Sequence, residues 1–184
     1  MNSFRSLIVS SALVCAASVG FCAAPSSGYV DFGALPPGKG DFVEVNLQSG
    51  LLKLAARLAK LQDPAAAELL GSLERVRVNV IGLDQGNAEN ITERVAKIRS
   101  KLADQGWEQI VTVKQHNEGA QDVAIFLKHG EGEAIAGLVI TVVDGAKQAV
   151  LVNVVGNIKP EQIELLARHL NIDGLKDVAV AKQA

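Results

Sequence analysis

Cysteine is nearly absent from this chain, and that absence narrows its chemistry. Only two of the 184 residues are cysteines, Cys15 and Cys22, and both lie in an N-terminal segment that we expect to be removed. Cleavage of that segment before Cys22 would leave Cys22 as the only cysteine of the remaining chain. The remaining domain is therefore predicted to have no internal disulfide and no thiolate metal site. A chain of this length can instead be held together by a hydrophobic core.

Neither sign of charge dominates the sequence. The formal net charge is −2, and loss of Arg5, the only charged residue before Asp31, would make it −3. A surface for nucleic acid or for an anionic membrane needs an excess of positive charge. The composition supports neither partner, and we predict that the protein does not bind nucleic acid.

Residues that carry chemistry are scarce and badly spaced. His116 and His129 lie at opposite ends of one predicted strand, and His169 lies in a predicted C-terminal helix, so the three cannot be expected to share a metal ion. Glu131 and Glu133 belong to one turn, where carboxylates are usually solvated. No serine stands in the G-x-S-x-G pattern of a nucleophile elbow. We predict no catalytic, cofactor-binding or metal-binding residues.

One stretch matches the spacing of a phosphate-binding loop. Gly33, Gly38 and Lys39 follow the pattern G-x-x-x-x-G-K, but Gly40 stands where a serine or threonine should hold magnesium. That chemistry also needs a strand before the loop and a helix after it. A predicted lead-in precedes this stretch and a predicted strand follows it, which favours a linker.

The N-terminus has the pattern of a secretory signal peptide. Arg5 precedes an apolar run over residues 7–17, and small residues continue to Ala24. We predict a signal peptide over residues 1–26, with cleavage after Gly20 or after Ser26. No small residue precedes either cysteine, which disfavours a lipoprotein. We expect export to the periplasm or the medium and no membrane span after cleavage; an uncleaved anchor is the alternative.

The rest of the chain is predicted to form one domain. Residues 27–40, rich in glycine and proline, are interpreted as a flexible lead-in. A single domain is predicted over 41–175, followed by a frayed tail at 176–184.

Hydrophobic periodicity divides the domain into a helical part and a strand-rich part. Val76, Val78 and Val80 alternate with polar residues and predict a strand. An early helix is predicted to bury an apolar stripe. The members of that stripe are Leu51, Leu54, Ala55, Leu58 and Leu61.

Four strands are predicted in the second half, at about 107–115, 121–128, 134–143 and 147–155. Short turns between them indicate antiparallel neighbours. A final helix is predicted to open at Pro160. The predicted class is α+β: a mostly antiparallel sheet, with a four-strand meander plus two early strands, and helices packed on one face.

If helices cover only one face, the other face of the meander exposes apolar side chains. Strand parity with simple hairpin registers predicts a shared face, and a contiguous apolar patch usually marks a partner surface. Coverage by the early helices or by the lead-in is the alternative. The residues predicted for this interaction face are Ile110, Phe126, Leu138, Ile140 and Val142.

Two segments carry a resemblance to a known family. The run Val152–Ile163 (VNVVGNIKPEQI), and the run Val43–Leu52 with Ile81-Gly82-Leu83, resemble domain-of-unknown-function family 4252 of exported bacterial proteins. The resemblance covers about residues 41–175. It implies a leader or lipoprotein signal, an early strand–helix pair, a charged helix, a strand-rich half and a closing helix opened by proline and an acidic residue, and it implies no catalytic residue.

The sequence therefore favours an exported soluble envelope domain that binds rather than catalyses. The expected partner is an envelope protein or a small apolar ligand, and a homo-oligomer is a further option. An envelope hydrolase whose site assembles only in three dimensions, for example from Asp84, Glu89 and His116, is an alternative. A self-associating structural module is another.

Overall fold

The structure is a computed structural model that describes residues 26–34, 41–115, 121–145, 147–163 and 165. The predicted leader, apart from Ser26, lies outside these residues, as do the predicted tail and most of the predicted C-terminal helix. In chain order the elements are β1 (Phe42–Gln48), α1 (Ser49–Ala59), α2 (Pro64–Ser72), β2 (Leu73–Gly82), α3 (Ala88–Asp104), β3 (Glu108–Lys114), β4 (Gln121–His129), β5 (Ile135–Asp144), β6 (Gln148–Ile158) and a 3₁₀ turn (Pro160–Gln162).

All six strands form one antiparallel sheet in the order β1-β2-β6-β5-β4-β3. Strands β3 to β6 are neighbours in chain order, as expected from the short turns between them. Strand β2 pairs with β6, so the two early strands extend the sheet beyond the last strand. The α+β class is confirmed.

Helices lie on both faces of the sheet, which corrects the expectation of one covered face. On the first face, called the α3 face, Ile91 and Val95 of α3 belong to one core cluster with Phe126 and Val139 of the sheet. The second face is called the α1 face. There, Leu52 of α1 and Leu69 of α2 belong to another cluster with residues of β4, β5 and β6. The physical reason is the composition of β5 and β6, whose nearly continuous apolar runs must be buried on both sides.

Helix α2 begins at an aspartate cap followed by a proline. The carboxylate of Asp63 accepts a hydrogen bond from the Ala66 amide at 2.9 Å, and Pro64 occupies the first turn. An aspartate cap satisfies an amide that the helix itself leaves unpaired, and proline lacks the amide that would otherwise be orphaned there.

Residues 28–32 form an ordered strap across the α3 face. The Val30 amide donates to Asn153 Oδ1 at 3.0 Å, and Asn153 Nδ2 donates to the Gly28 carbonyl at 3.0 Å. Phe32 is buried in the same core cluster as α3. A side chain at Gly28 would collide with the backbone of Ala136, so the close approach requires glycine there. The predicted flexible lead-in over 27–40 thus includes a packed segment, while 35–40 lie outside the described residues.

An arginine joins α3 to the sheet near β3. Arg99 Nη1 lies 2.8 and 2.9 Å from the two carboxylate oxygens of Asp122, and its Nε donates to Thr141 Oγ1 at 2.8 Å. The guanidinium is mostly buried, so these charge-assisted bonds are little screened by solvent. They hold α3 against β4 and β5.

Candidate interaction surface

Helix α1 buries a narrow face made mostly of small residues. Leu52 is only 2% exposed. Ala55, Ala56 and Ala59 are half-buried, and their spacing places them on the same side of the helix as Leu52. The helix contacts β1, β2 and α2, whereas α2 contacts β6, so α1 is the outer helix of this layer.

The leucines predicted as the core of α1 face outward instead. Leu51 is 54% exposed, Leu54 50%, Leu58 72%, and Leu61, in the turn after the helix, 96%. These four residues are called the leucine stripe. Alanines can approach a sheet more closely than leucines can, and the structure places the alanine-containing face inward. The sequence-based prediction of a buried stripe is wrong for these leucines.

The opposite flank of α1 is basic. Lys53, Arg57 and Lys60 are all exposed, and no acidic residue stands between Glu44 and Asp63. On a helix these three positions share one side, separate from the leucines. Helix α1 thus presents two different exposed flanks, one apolar and one positively charged.

Strand β1 adds a second uncovered apolar element beside α1. Phe42, Val43 and Val45 are exposed. Strand β1 has β2 on one side and is the end of the sheet on the other, among the described strands. Side chains alternate along a strand, so Val43 and Val45 lie on the α1 face with Leu47, whereas Phe42 lies on the α3 face opposite Ile81. Val43 and Val45 are called the apolar edge. Every exposed large apolar side chain of the described residues, Phe42 apart, belongs either to this edge or to the leucine stripe.

At the other end of the sheet, β3 is a different kind of edge. Its pairing with β4 is interrupted by a bulge between Gln109 and Val111. Charged residues stand at both of its ends, Glu108 and Lys114, and Glu108 lies 2.8 Å from His129 Nε2. Bulges and terminal charges are common devices that prevent a sheet edge from pairing with another chain.

The predicted interaction face does not form a single surface. Phe126 pairs with Val139 and is buried on the α3 face, whereas Leu138 and Ile140 are buried on the α1 face. Ile110 and Val142 are half-buried against the α1-face cluster. The register of β4 against β5 is shifted by one residue from the predicted one, so Phe126 stands opposite Val139 rather than opposite Leu138. The shift arises at an irregularity in register between Lys128 and His129, which a prediction that assumes regular hairpins does not include.

The residues considered for catalysis or metal binding are dispersed. His129 is exposed and paired with Glu108, and Glu131 and Glu133 are exposed in the turn after β4. Of the remaining candidates, His116, His169 and most of the phosphate-loop match fall outside the described residues. Within the part of the chain that is described, no three histidine, cysteine or acidic side chains come together as a metal site would need.

An open cleft separates the strap from α3. Its walls include Asp31 and Glu93 as well as Arg94, Lys97 and Lys101. Charges of both signs therefore line it. The cleft has no single electrostatic character that would select a ligand.

A charge pair joins α2 to the 3₁₀ turn. Lys159 Nζ lies 2.7 Å from Glu68 Oε1. The hydrogen bond to Glu68 and the attraction of its carboxylate raise the pKa of Lys159 above its ordinary 10.5. Both side chains are more than half exposed, so the pair orients the turn without isolating charge from water.

Comparison with protein families settles what the fold and the segments suggested. The model of the domain of unknown function DUF4252 matches residues 37–166, well over half of the chain. This chain belongs to the DUF4252 family. The strap over residues 28–32 precedes the matched region, whereas α1, β1 and the whole sheet lie within it. Neither a curated protein nor a solved structure matches the chain. Within the described residues, the helices are all too short or too polar to cross a membrane.

Proposed function

We propose that this DUF4252 member is an exported, non-enzymatic binding module. Its contact surface is the leucine stripe together with the apolar edge. The observation that carries the proposal is the concentration of exposed apolar side chains on two adjoining elements. Contiguous apolar surface of this kind usually marks an interaction site, whereas isolated exposed leucines do not.

Energetics favour a partner that covers the stripe. Moving a leucine side chain from water into an apolar contact stabilises a complex by about 1.5–3 kcal/mol when burial is complete. Leu58 and Leu61 begin more than two-thirds exposed, so most of that gain remains available to them. Folding of the isolated chain gains little from these side chains.

The shape of the surface favours a macromolecule over the small apolar ligand that the sequence also suggested. Small-molecule sites are concave and surround most of the ligand. The leucine stripe instead projects from the outer side of a helix, as in modules that dock an amphipathic helix against a partner. A protein surface can cover such a helix, whereas a small molecule would leave most of it exposed to solvent.

Export is supported by the N-terminal pattern. The positive residue Arg5, the apolar run after it and the small residues up to Ser26 meet the requirements of a secretory signal. Cleavage after Ser26 would start the mature chain at Ser27, one residue before Gly28, where the strap begins. The mass of the protein recovered from the exported fraction tests this proposal. An intact chain that keeps Met1 and stays in the cytoplasm would overturn it.

Photo-crosslinking tests the binding surface in the cells that make the protein. A photoreactive residue replaces Leu58 in one variant and Lys53 in the other, so that the same helix carries the probe on its apolar or its basic flank. We expect a discrete adduct from position 58 and little from position 53. No adduct at 58, or equal labelling at both positions, would contradict the proposal. The adduct mass also reports what the partner is.

A further inference from the structure

We propose that the partner is a second copy of this chain, joined through β1. The two β1 strands pair antiparallel about a two-fold axis that passes beside Val45, which makes one continuous twelve-stranded sheet. This inference rests on the proposed function and names the occupant of its surface. Four observations carry it: the outward backbone groups of β1, its self-complementary register, the position of α1, and the lack of edge protection.

Half of the backbone groups of β1 face away from β2. The Gly82 amide donates to the Asp41 carbonyl at 2.7 Å, so Asp41 faces β2. Backbone groups alternate sides along a strand. Phe42, Glu44 and Asn46 therefore direct their N–H and C=O groups outward, where no described strand meets them. Gln48 directs only its N–H group outward, because its C=O group, at the N-cap of α1, accepts the first hydrogen bond of that helix.

One register satisfies these groups without opposing like charges. With the axis at Val45, Glu44 stands opposite Asn46 of the second copy, and Phe42 opposite Gln48. These pairs would exchange about six backbone hydrogen bonds: two for each of the two Glu44–Asn46 pairs, and one for each of the two Phe42–Gln48 pairs, since the Gln48 carbonyl is engaged in α1. An axis at Glu44 would instead place two carboxylates directly opposite each other, which is destabilising.

The same register joins the apolar surfaces. Val43, Val45 and Leu47 lie opposite Val80, Val78 and Val76 of β2. Leu47, Val76 and Val78 pack against the α1-face cluster. Across the axis, Val45 meets Val45, and Val43 meets Leu47.

A two-fold axis perpendicular to the sheet keeps equivalent faces together. Both copies of α1 therefore lie on the same side of the joined sheet. Since α1 is the outer helix and contacts β1 and β2, the leucine stripes and the apolar edges of two copies lie on the same side of the joined sheet, near the axis.

Strand β1 lacks the features that would prevent this pairing. It contains no lysine, arginine or proline from Phe42 to Gln48, and its register with β2 is uninterrupted. Its single charge, Glu44, is 3.0 Å from Arg77 of β2. An exposed, regular and apolar edge of this kind pairs readily with another strand.

A charge-swap experiment tests the axis directly. Val45→Lys and Val45→Glu each place like charges opposite themselves, so each variant alone should be monomeric, with a dissociation constant raised at least about tenfold. An equimolar mixture should restore the dimer, because lysine then faces glutamate. The measurement is sedimentation velocity of the exported protein over a wide concentration range. Thr112→Lys, on the exposed part of β3, is the matched control and should leave the dimer intact.

A disulfide test keeps the inference falsifiable if a charged variant folds poorly. At a non-hydrogen-bonded pair the two Val45 Cα atoms would lie about 4.5 Å apart, which falls within the range that a disulfide bridges. Val45→Cys in a Cys22→Ser background should therefore oxidise to a covalent dimer. Glu44→Cys in the same background should not, because the two Glu44 Cα atoms would lie about 8 Å apart, given the advance per residue and the spacing between strands.

The outcomes separate this inference from the proposed function. A monomer at every concentration, a dimer that survives Val45→Lys, or equal crosslinking of the two cysteine variants would each overturn pairing through β1. An adduct at Leu58 with the mass of a different protein would overturn the second copy as partner, yet it would uphold the binding surface. Loss of the Leu58 adduct altogether would overturn the proposed function.

Discussion

The two edge strands of the sheet have the same length and opposite characters. Strand β1 runs in unbroken register along β2, exposes apolar side chains, and carries one charge that is already paired with Arg77. Strand β3 is bulged against β4 and has a charge at each end. Both strands have one neighbour among the described strands. Their difference indicates that β3 is an end of the sheet, whereas β1 is a place where the sheet can continue.

The largest expected difference in stability is between two leucine substitutions in α1, the helix beside β1. Leu52→Ala removes a side chain that is 2% exposed, and we expect it to lower the free energy of unfolding by about 2–5 kcal/mol. Leu58→Ala removes a side chain that is 72% exposed and should change it by less than about 0.5 kcal/mol. Urea denaturation at a single low protein concentration, where association contributes little, measures both. Equal losses for the two variants would mean that the leucine stripe is part of the core.

Charge pairs near the two edges should contribute differently to the free energy of unfolding, measured by the same urea denaturation. Asp122→Ala beside β3 leaves Arg99 without its two-oxygen partner in a mostly buried position, and we expect a loss of about 1–3 kcal/mol. Glu44→Gln on β1 removes a single charged contact of 3.0 Å to Arg77, which is as buried as Arg99 but keeps Asp31 at 3.6 Å, and the free energy of unfolding should fall by less than about 1 kcal/mol. A larger loss for Glu44→Gln would show that the outer strand is held by its own charges and not left available for pairing.

The smallest effect on stability is expected far from both edges, at the Lys159–Glu68 pair. The pKa of Lys159 is raised in the folded protein, so the pair stabilises the fold fully below the ordinary lysine value of 10.5. That contribution is lost as the pH rises through the higher folded pKa. Glu68→Gln should return the pKa of Lys159 toward its ordinary value, as followed by NMR of the lysine side chain. An unchanged pKa would mean that the pair does not persist in solution.

Periodicity predicted most of the elements because it reports which residues alternate between burial and exposure. The strand of alternating valines, β2, and the four strands of the meander follow from it. The Asp63-Pro64 pair also marks the start of α2 as its capping chemistry requires. In these segments a single apolar face or a nearly continuous apolar run leaves little choice of arrangement.

The interaction surface was missed because α1 has more than one apolar face. Leu51, Leu54 and Leu58 form the more hydrophobic side, so periodicity alone favours burying them. The structure buries Leu52 with the alanines. The sequence did contain one indication of an exposed apolar flank: α1 has about twice as many apolar residues as its buried face, Leu52 and the alanines, can use.

Face assignment failed for a different reason. Placing Phe126 with Leu138 and Ile140 assumed regular hairpins, and one irregularity in register moves a side chain to the opposite face of the sheet. The strap was missed because glycine is typical of linkers. At Gly28 it instead permits a close contact with the sheet, which only the tertiary structure reveals.

Residue-resolved hydrogen exchange of the β1 amides tests the central claim most directly. The account predicts that the outward amides of Glu44, Asn46 and Gln48 become protected as protein concentration rises, until they exchange about as slowly as the inward amides of Val43 and Val45. The exposed amides of β3 should show no such dependence on concentration. Fast exchange of the outward β1 amides at every concentration would contradict the account, because it would show that β1, like β3, is simply an end of the sheet.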